Sequence, residues 1–191
     1  MDHGKNLGGL LLASALAAAP LPAATADEIF LRLDGFQGES LDARHKGEIE
    51  ILSYTQSLTA PARGAPSSVG VTGKTPCGPG AVTVIKYVDQ SSPKLILFAL
   101  NQEHIKSAEV TFRKPGQLPT EYYKVRLDDV IITEVEQNNS RLNFPNPAPP
   151  KAIEKVSLVG QRFRFQYLVQ QPDGKVAEGQ PTVAWDCGRL R

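Results

Sequence analysis

The residues of this chain whose types could do chemistry are few. Of three histidines, His3 lies in the first 26 residues, leaving His45 and His104. His45 stands in Asp42-Ala43-Arg44-His45-Lys46-Gly47-Glu48, with Ser40 close by, and the neighbourhood offers a nucleophile and a base. A catalytic triad is assembled by geometry rather than by sequence proximity, and these are consecutive surface-loop residue types. They read as a solvated loop. His104 closes a predicted helix, where a cation beside the negative end of the dipole is the simpler account. No two histidines have metal-ligand spacing. The stretch Gly70 to Gly80 holds four glycines and Lys74, but not the Gly-x-x-x-x-Gly-Lys order that cradles phosphate. Asp128 and Asp129 project to opposite faces of an extended strand, so they do not form a carboxylate dyad. No catalytic, cofactor-binding or metal-ligating set emerges, and no enzyme activity is expected.

Cys77 and Cys187 are the only cysteines, too few for a thiolate zinc site. In an oxidising compartment they would pair and close a loop of about 110 residues, contributing about 2–5 kcal/mol. The alternative is two separate, partly buried thiols.

The compartment is suggested by the N-terminus. Lys5 precedes the apolar run Leu7 to Ala19, followed by Pro20, Pro22 and Ala24-Thr25-Ala26. A charged start, a short apolar core and an Ala-x-Ala site make a secretory signal peptide, with cleavage expected after Ala26. The run is short for a bilayer span, so no stable membrane anchor is expected, the alternatives being an uncleaved anchor or an Ala-rich leader. Removing 26 of 191 residues leaves 165, one domain over residues 27–191, secreted or periplasmic. A formal net charge of +1 argues against a dedicated nucleic-acid binder, and 41% hydrophobic with 21% charged residues is globular composition.

Alternation dominates that domain. Ile29, Leu31 and Leu33 share one face of a strand that ends at Asp34-Gly35. Ile49 and Ile51 alternate with Glu48 and Glu50. Residues 57–80 form a long Gly/Pro/Ser/Thr-rich loop, of a size that is usually functional or mobile. Residues 81–88 return to strand character, and 110–113 form another short strand. Ser91-Ser92-Pro93 predicts N-cap hydroxyls and an N1 proline for a helix from Lys94 to about His104. The longest strand pattern runs from Glu121 to about Glu136, with a bend or bulge at Asp128-Asp129. A polar, Pro-rich connector spans 138–152. Phe163, Phe165, Tyr167 and Val169 then alternate with Arg162, Arg164 and Gln166, and Pro172-Asp173-Gly174-Lys175 is a turn. A last strand at 181–187 carries Trp185. Seven or so strands and one helix predict a mainly β fold, a small closed or partly closed antiparallel barrel with a flanking helix or a sandwich.

The segment Phe30-Leu31-Arg32-Leu33-Asp34-Gly35-Phe36, followed by His45-Lys46-Gly47-Glu48-Ile49-Glu50-Ile51, resembles the opening of the haemolysin-coregulated proteins (Hcp) of bacterial type VI secretion systems. The resemblance continues in family order at Lys86-Tyr87-Val88-Asp89, Ser92-Pro93-Lys94-Leu95, His104-Ile105-Lys106 and Glu121-Tyr122-Tyr123-Lys124-Val125. It goes on through Leu127-Asp128-Asp129-Val130, Glu154-Lys155-Val156-Ser157-Leu158, Pro172-Asp173-Gly174 and Trp185-Asp186, covering almost all of residues 28–187. It implies a barrel flanked by a helix, assembled as a ring-shaped homohexamer. Such rings stack into a tube propelled from the cell with a spike protein at its tip, the lumen holding small effector proteins. It implies no cofactor and no enzyme activity, and it assigns the loop at 57–80 to contacts with neighbouring subunits or rings. Three features differ from the family pattern: the leader, the cysteine pair, and Tyr54-Thr55-Gln56-Ser57 where members carry a Trp-rich stretch. Two functions follow as expectations: a ring-forming type VI tube protein, or an exported Hcp-like binding module or effector acting outside that apparatus.

Overall fold

A computed structural model of the chain describes residues 26–58, 79–116, 119–138, 151–171 and 176–187. In chain order they form β1 (Glu28–Leu33), β2 (Ile49–Ile51), β3 (Ser53–Leu58), β4 (Pro79–Tyr87), α1 (Ser92–Asn101), β5 (Ile105–Lys114), β6 (Thr120–Asn138), β7 (Ile153–Tyr167) and β8 (Thr182–Asp186). Every strand pairing is antiparallel, and the order across the sheet is β2-β1-β5-β6-β7-β4-β3, with β8 added to β7. The two ends of that order are the two halves of one bent stretch. Ile51 in β2 lies opposite Ile29 of β1, while Ser53 in β3 lies opposite Ile85 of β4. Between them the Leu52 amide donates to the Ile85 carbonyl at 2.7 Å. The sheet therefore curls back on itself, mainly β and barrel-like, as the alternation predicts.

Alternation explains the core. Leu31 and Leu33 of β1, Val82 and Val84 of β4, Val110 of β5, Val125 and Leu127 of β6, and Val156 and Leu158 of β7 all point inward. Helix α1 adds Leu95, fully buried, with Phe98 and Ala99 packed against the same cluster. Long strands do most of the work: β6 and β7 pair from Tyr123↔Tyr167 to Asn138↔Ile153, bending at a bulge between Ile132 and Glu134.

The helix begins two residues earlier and ends three residues earlier than expected. Ser91 is the N-cap, but its hydroxyl makes no capping bond to a helix amide. It donates instead to Asp89 Oδ1, and the Ser92 hydroxyl accepts from the Asp89 amide at 3.0 Å while donating to Glu154 at 2.7 Å. Pro93 stands in the first turn, one position after the expected N1, because the helix starts at Ser92. Gln102 stops the helix in the left-handed conformation, so His104 lies beyond it and is no dipole partner. Residues 59–78, the bulk of the long loop with its glycines and Cys77, lie outside the described residues, as do residues 1–25, 139–150 and the 172–175 turn.

Candidate functional site

The Ser40–Glu48 neighbourhood is not the solvated loop that its composition suggests. Residues 38–48 fold over the outer side of β1 and cover Phe30, whose ring stacks on His45 at 4.1 Å between centroids and receives Arg113 at 4.9 Å. His45 is only 5% exposed. Its Nδ1 is bonded to Glu48 at 2.9 Å, and its Nε2 faces Glu121 at 3.5 Å without a hydrogen bond of its own. Ser40 Oγ accepts from the Asp42 amide rather than meeting His45. Nucleophile and base are therefore held apart.

Arg113 ties this loop down. Its guanidinium donates to Asp42 at 2.7 Å and to Glu28 at 2.8 Å. The Arg113 hydrogen bond holds the Asp42 carboxyl well below the usual carboxylate range, against the opposing pull of burial and with help from the Arg44 and His45 amides. The same bond to Asp42 raises Arg113 further. Burial pushes Glu121 up, but the bond from Lys124 and the charges of Lys124, His45 and Arg44 take it below its ordinary value. Gly38 is required where the loop crosses Glu48, because a Cβ there would stand 2.3 Å from the Glu48 carbonyl oxygen.

His104 and the two aspartates also part company. His104 Nδ1 meets Asp129 at 2.6 Å on the surface, and Asp129 has a left-handed φ of 56° that aspartate tolerates better than most residues. Asp128 turns to Arg126 at 3.0 Å and Arg162 at 3.9 Å. The bend expected at this pair is thus a left-handed residue, while the register of β6 shifts against β5 before it and against β7 between Ile132 and Glu134 after it. Cys187 packs against the core just after β8. Its expected partner Cys77 lies outside the described residues. No group of three or more His, Cys, Asp or Glu side chains suited to a metal ion is gathered among the described residues. No helix among them is long and apolar enough to cross a membrane.

A further charged cluster lies inside the barrel-like core. Lys86 of β4 and Glu154 of β7 are both fully buried and meet at 2.6 Å. Lys86 Nζ also reaches Asp89 at 2.9 Å and Ser92 at 3.4 Å, while Gln137 donates to the other Glu154 oxygen at 3.0 Å. The signal was present in the sequence. Lys86 follows Val82 and Val84 at period two, and Glu154 precedes Val156 and Leu158 in the same way, so both occupy core-facing positions. Their role here is to clamp the first turn of α1 to the barrel.

The remaining feature is the outer face of β1, β5, β6, β7 and β8, beyond the edge of the 38–48 loop. One cross-strand row reads Arg32, Glu109, Arg126, Arg164 and Ala184. The next rows set Asp128 opposite Arg162 and Lys124 opposite Gln166. Arg32 donates to Glu109 at 2.9 Å, Arg126 lies 3.7 Å from the other Glu109 oxygen, and Lys124 holds Glu121 at 2.6 Å. Two shallow depressions flank the central residues. One, of about 490 Å³, is bounded by Asp128, Arg162, Arg164 and Trp185, and the other, of about 430 Å³, by Glu109, Lys124, Arg126, Arg164 and Gln166.

An antiparallel, barrel-like sheet with one clamped helix and a wide charged face is a scaffold for contacts, and this is the class of protein that the fold and its surfaces define. The chain belongs to the Hcp family of type VI secretion: residues 30–167 match the family described as "Type VI secretion system effector, Hcp". Among curated relatives, Protein hcp1 of Pseudomonas aeruginosa is 25% identical over 160 residues, covering 83% of this chain and 94% of its own length. The crystal structure of Hcp1 from Salmonella typhimurium superposes with a TM-score of 0.65 at 28% identity, covering 86% of this chain and 96% of that one. A type VI secretion system effector from Yersinia pestis superposes with a TM-score of 0.62 at 25% identity, covering 83% and 98%.

Proposed function

We propose that this protein is a ring-forming, tube-type subunit of a type VI secretion system, non-enzymatic and itself secreted, with room in its ring for small effector proteins. The observation that carries the reading is the apolar surface left on a single subunit of this family. Helix α1 buries Leu95 yet presents Leu97 and Leu100 outward, the latter 78% exposed, and edge strand β8 presents Val183. A lone chain gains nothing from apolar groups held outward on rigid elements, whereas a neighbouring subunit would cover them. Homohexameric rings, stacked or single, are the assembly in view, with a spike protein as a further partner.

The leader favours a second reading, in which residues 1–26 direct export and the mature chain works outside the apparatus as a binding module or effector. The Cys77–Cys187 pairing belongs with this route. It is supported by the position of Cys187 at the end of β8 and by the absence of a free thiol among the described cysteines. Native mass spectrometry on protein from the original host tests both readings. A hexamer that retains residues 1–26 fits the tube, and a chain beginning at Asp27 with no free thiol fits the exported form. A monomer at micromolar concentration would remove the ring.

A further inference from the structure

We infer that the half of the outer sheet face that no other described segment covers, centred on Arg164, is a docking surface for a carboxylate-rich segment of another protein. Arg126 and Arg164 lie directly opposite each other on β6 and β7. Like charges in that position destabilise a sheet, so two arginines there are a cost that the fold alone does not explain. Arg162 stands two residues along the same face, and Lys124 is diagonal to Arg164. The acids on this face are already engaged. Glu109 is held by Arg32 and Arg126, and Asp128 by Arg126 and Arg162. Among the described residues, Arg164 alone of these cations has no side-chain ion pair or hydrogen bond, and it borders both depressions.

A planar guanidinium fork left free between two hollows matches a carboxylate, which it can hold through two parallel hydrogen bonds. The interspersed Glu109 and Asp128 argue against a continuous phosphate backbone, which needs an unbroken cationic track. They suit a partner whose carboxylates are spaced apart by neutral residues. The 38–48 loop supports the same chemistry by example: on the covered half of this face, Arg113 is satisfied by Asp42 and Glu28. A partner segment supplying acids to Arg164 and Arg126 would complete on the exposed half what the loop does on the covered half. The inference rests on the function proposed above only for naming that partner as cargo, since the face belongs to one subunit.

The test is fluorescence anisotropy of the full-length protein with a short labelled peptide of alternating Glu and Ser. Wild type should bind and be released by salt, Arg164→Gln should weaken binding about tenfold, the worth of one charge-assisted hydrogen bond, and Arg32→Gln, which removes a cation already paired, should change it less than about twofold. Sedimentation of each variant should show the wild-type assembly state. A wild-type monomer that binds with this pattern keeps the docking face and removes only the ring. The inference fails if the peptide does not bind, if Arg164→Gln binds as well as wild type, or if an oligonucleotide of equal charge or inorganic phosphate competes as strongly. It also fails if Arg164→Gln changes the assembly state, because the face would then contact a second copy.

Discussion

Replacing Lys86 by methionine is expected to be among the most damaging single changes outside the apolar core. Its ammonium is fully buried, 2.6 Å from an equally buried Glu154 and 2.9 Å from an Asp89 side chain that is only 8% exposed. Methionine nearly conserves the volume, so packing changes little. What changes is charge: Glu154 is left in the interior with only Ser92 and Gln137 as donors, and Asp89 loses a partner as well. Removing one member of a buried pair typically costs about 3–5 kcal/mol. With a urea slope of about 2 kcal/mol per molar, the unfolding midpoint should fall by roughly 1.5–2.5 M. Protomer concentration must be held fixed, because assembly would stabilise the folded form. The double variant Lys86→Met with Glu154→Leu should recover much of the loss, giving a coupling of about 2 kcal/mol or more. Amides of α1 should exchange faster in the single variant, since the clamp holds that helix by its first turn. A single variant within about 1 kcal/mol of wild type, with negligible coupling, would refute the account.

Three further outcomes are expected. Because Asp42 is held low by Arg113, its stabilisation is complete above the unfolded value near pH 4 and is lost as pH falls below it. Acid titration of stability should show this loss in wild type and not in Asp42→Asn, which should itself cost about 1–2 kcal/mol at neutral pH for a partly exposed pair. Gly38→Ala should lower the melting temperature through a loss of about 2 kcal/mol, since its Cβ would meet backbone. Burial, and then the hydrogen bond to Asp27, push the Tyr122 phenol up to about 12. Its stabilisation is complete below the unfolded tyrosine value of about 10 and disappears as pH rises through the folded value. Ultraviolet titration should therefore find one tyrosine fewer resisting ionisation in Tyr122→Phe.

The strands are legible wherever one face is wet. Ile29, Leu31 and Leu33 announce β1, and Phe163 with Arg162 and Arg164 announces the second half of β7. The first half of β7 is buried on both sides around Ile153, Glu154, Val156, Ser157 and Leu158. Glu154, Val156 and Leu158 keep period two there, but Ile153 and Ser157 on the other side are buried as well, so no wet face marks the strand until the pairing with β4 and β6 is known. His45 is misread for a related reason. Burial of a loop residue depends on what the loop lies against, and nothing local to residues 40–48 reveals that Phe30 waits beneath. The helix cap fails because two serines that could satisfy helix amides found stronger acceptors and donors in Asp89 and Glu154. The charged face is half legible in the sequence, as Arg162, Arg164 and Gln166 on one side of a strand. The opposition of Arg164 to Arg126 needs the register, which only the folded sheet supplies.

The bent stretch that joins β2 to β3 has a kinetic consequence. Closing the barrel requires Ile51 to find Ile29 and Ser53 to find Ile85, while β4 must find β7, with Val82 opposite Leu158. None of these matches can be made by a tight hairpin, so chain-distant search sets the pace. A chain that knits slowly stays threadable for longer. In the exported form proposed above, that delay would be the interval in which the chain crosses a membrane before its own architecture prevents it.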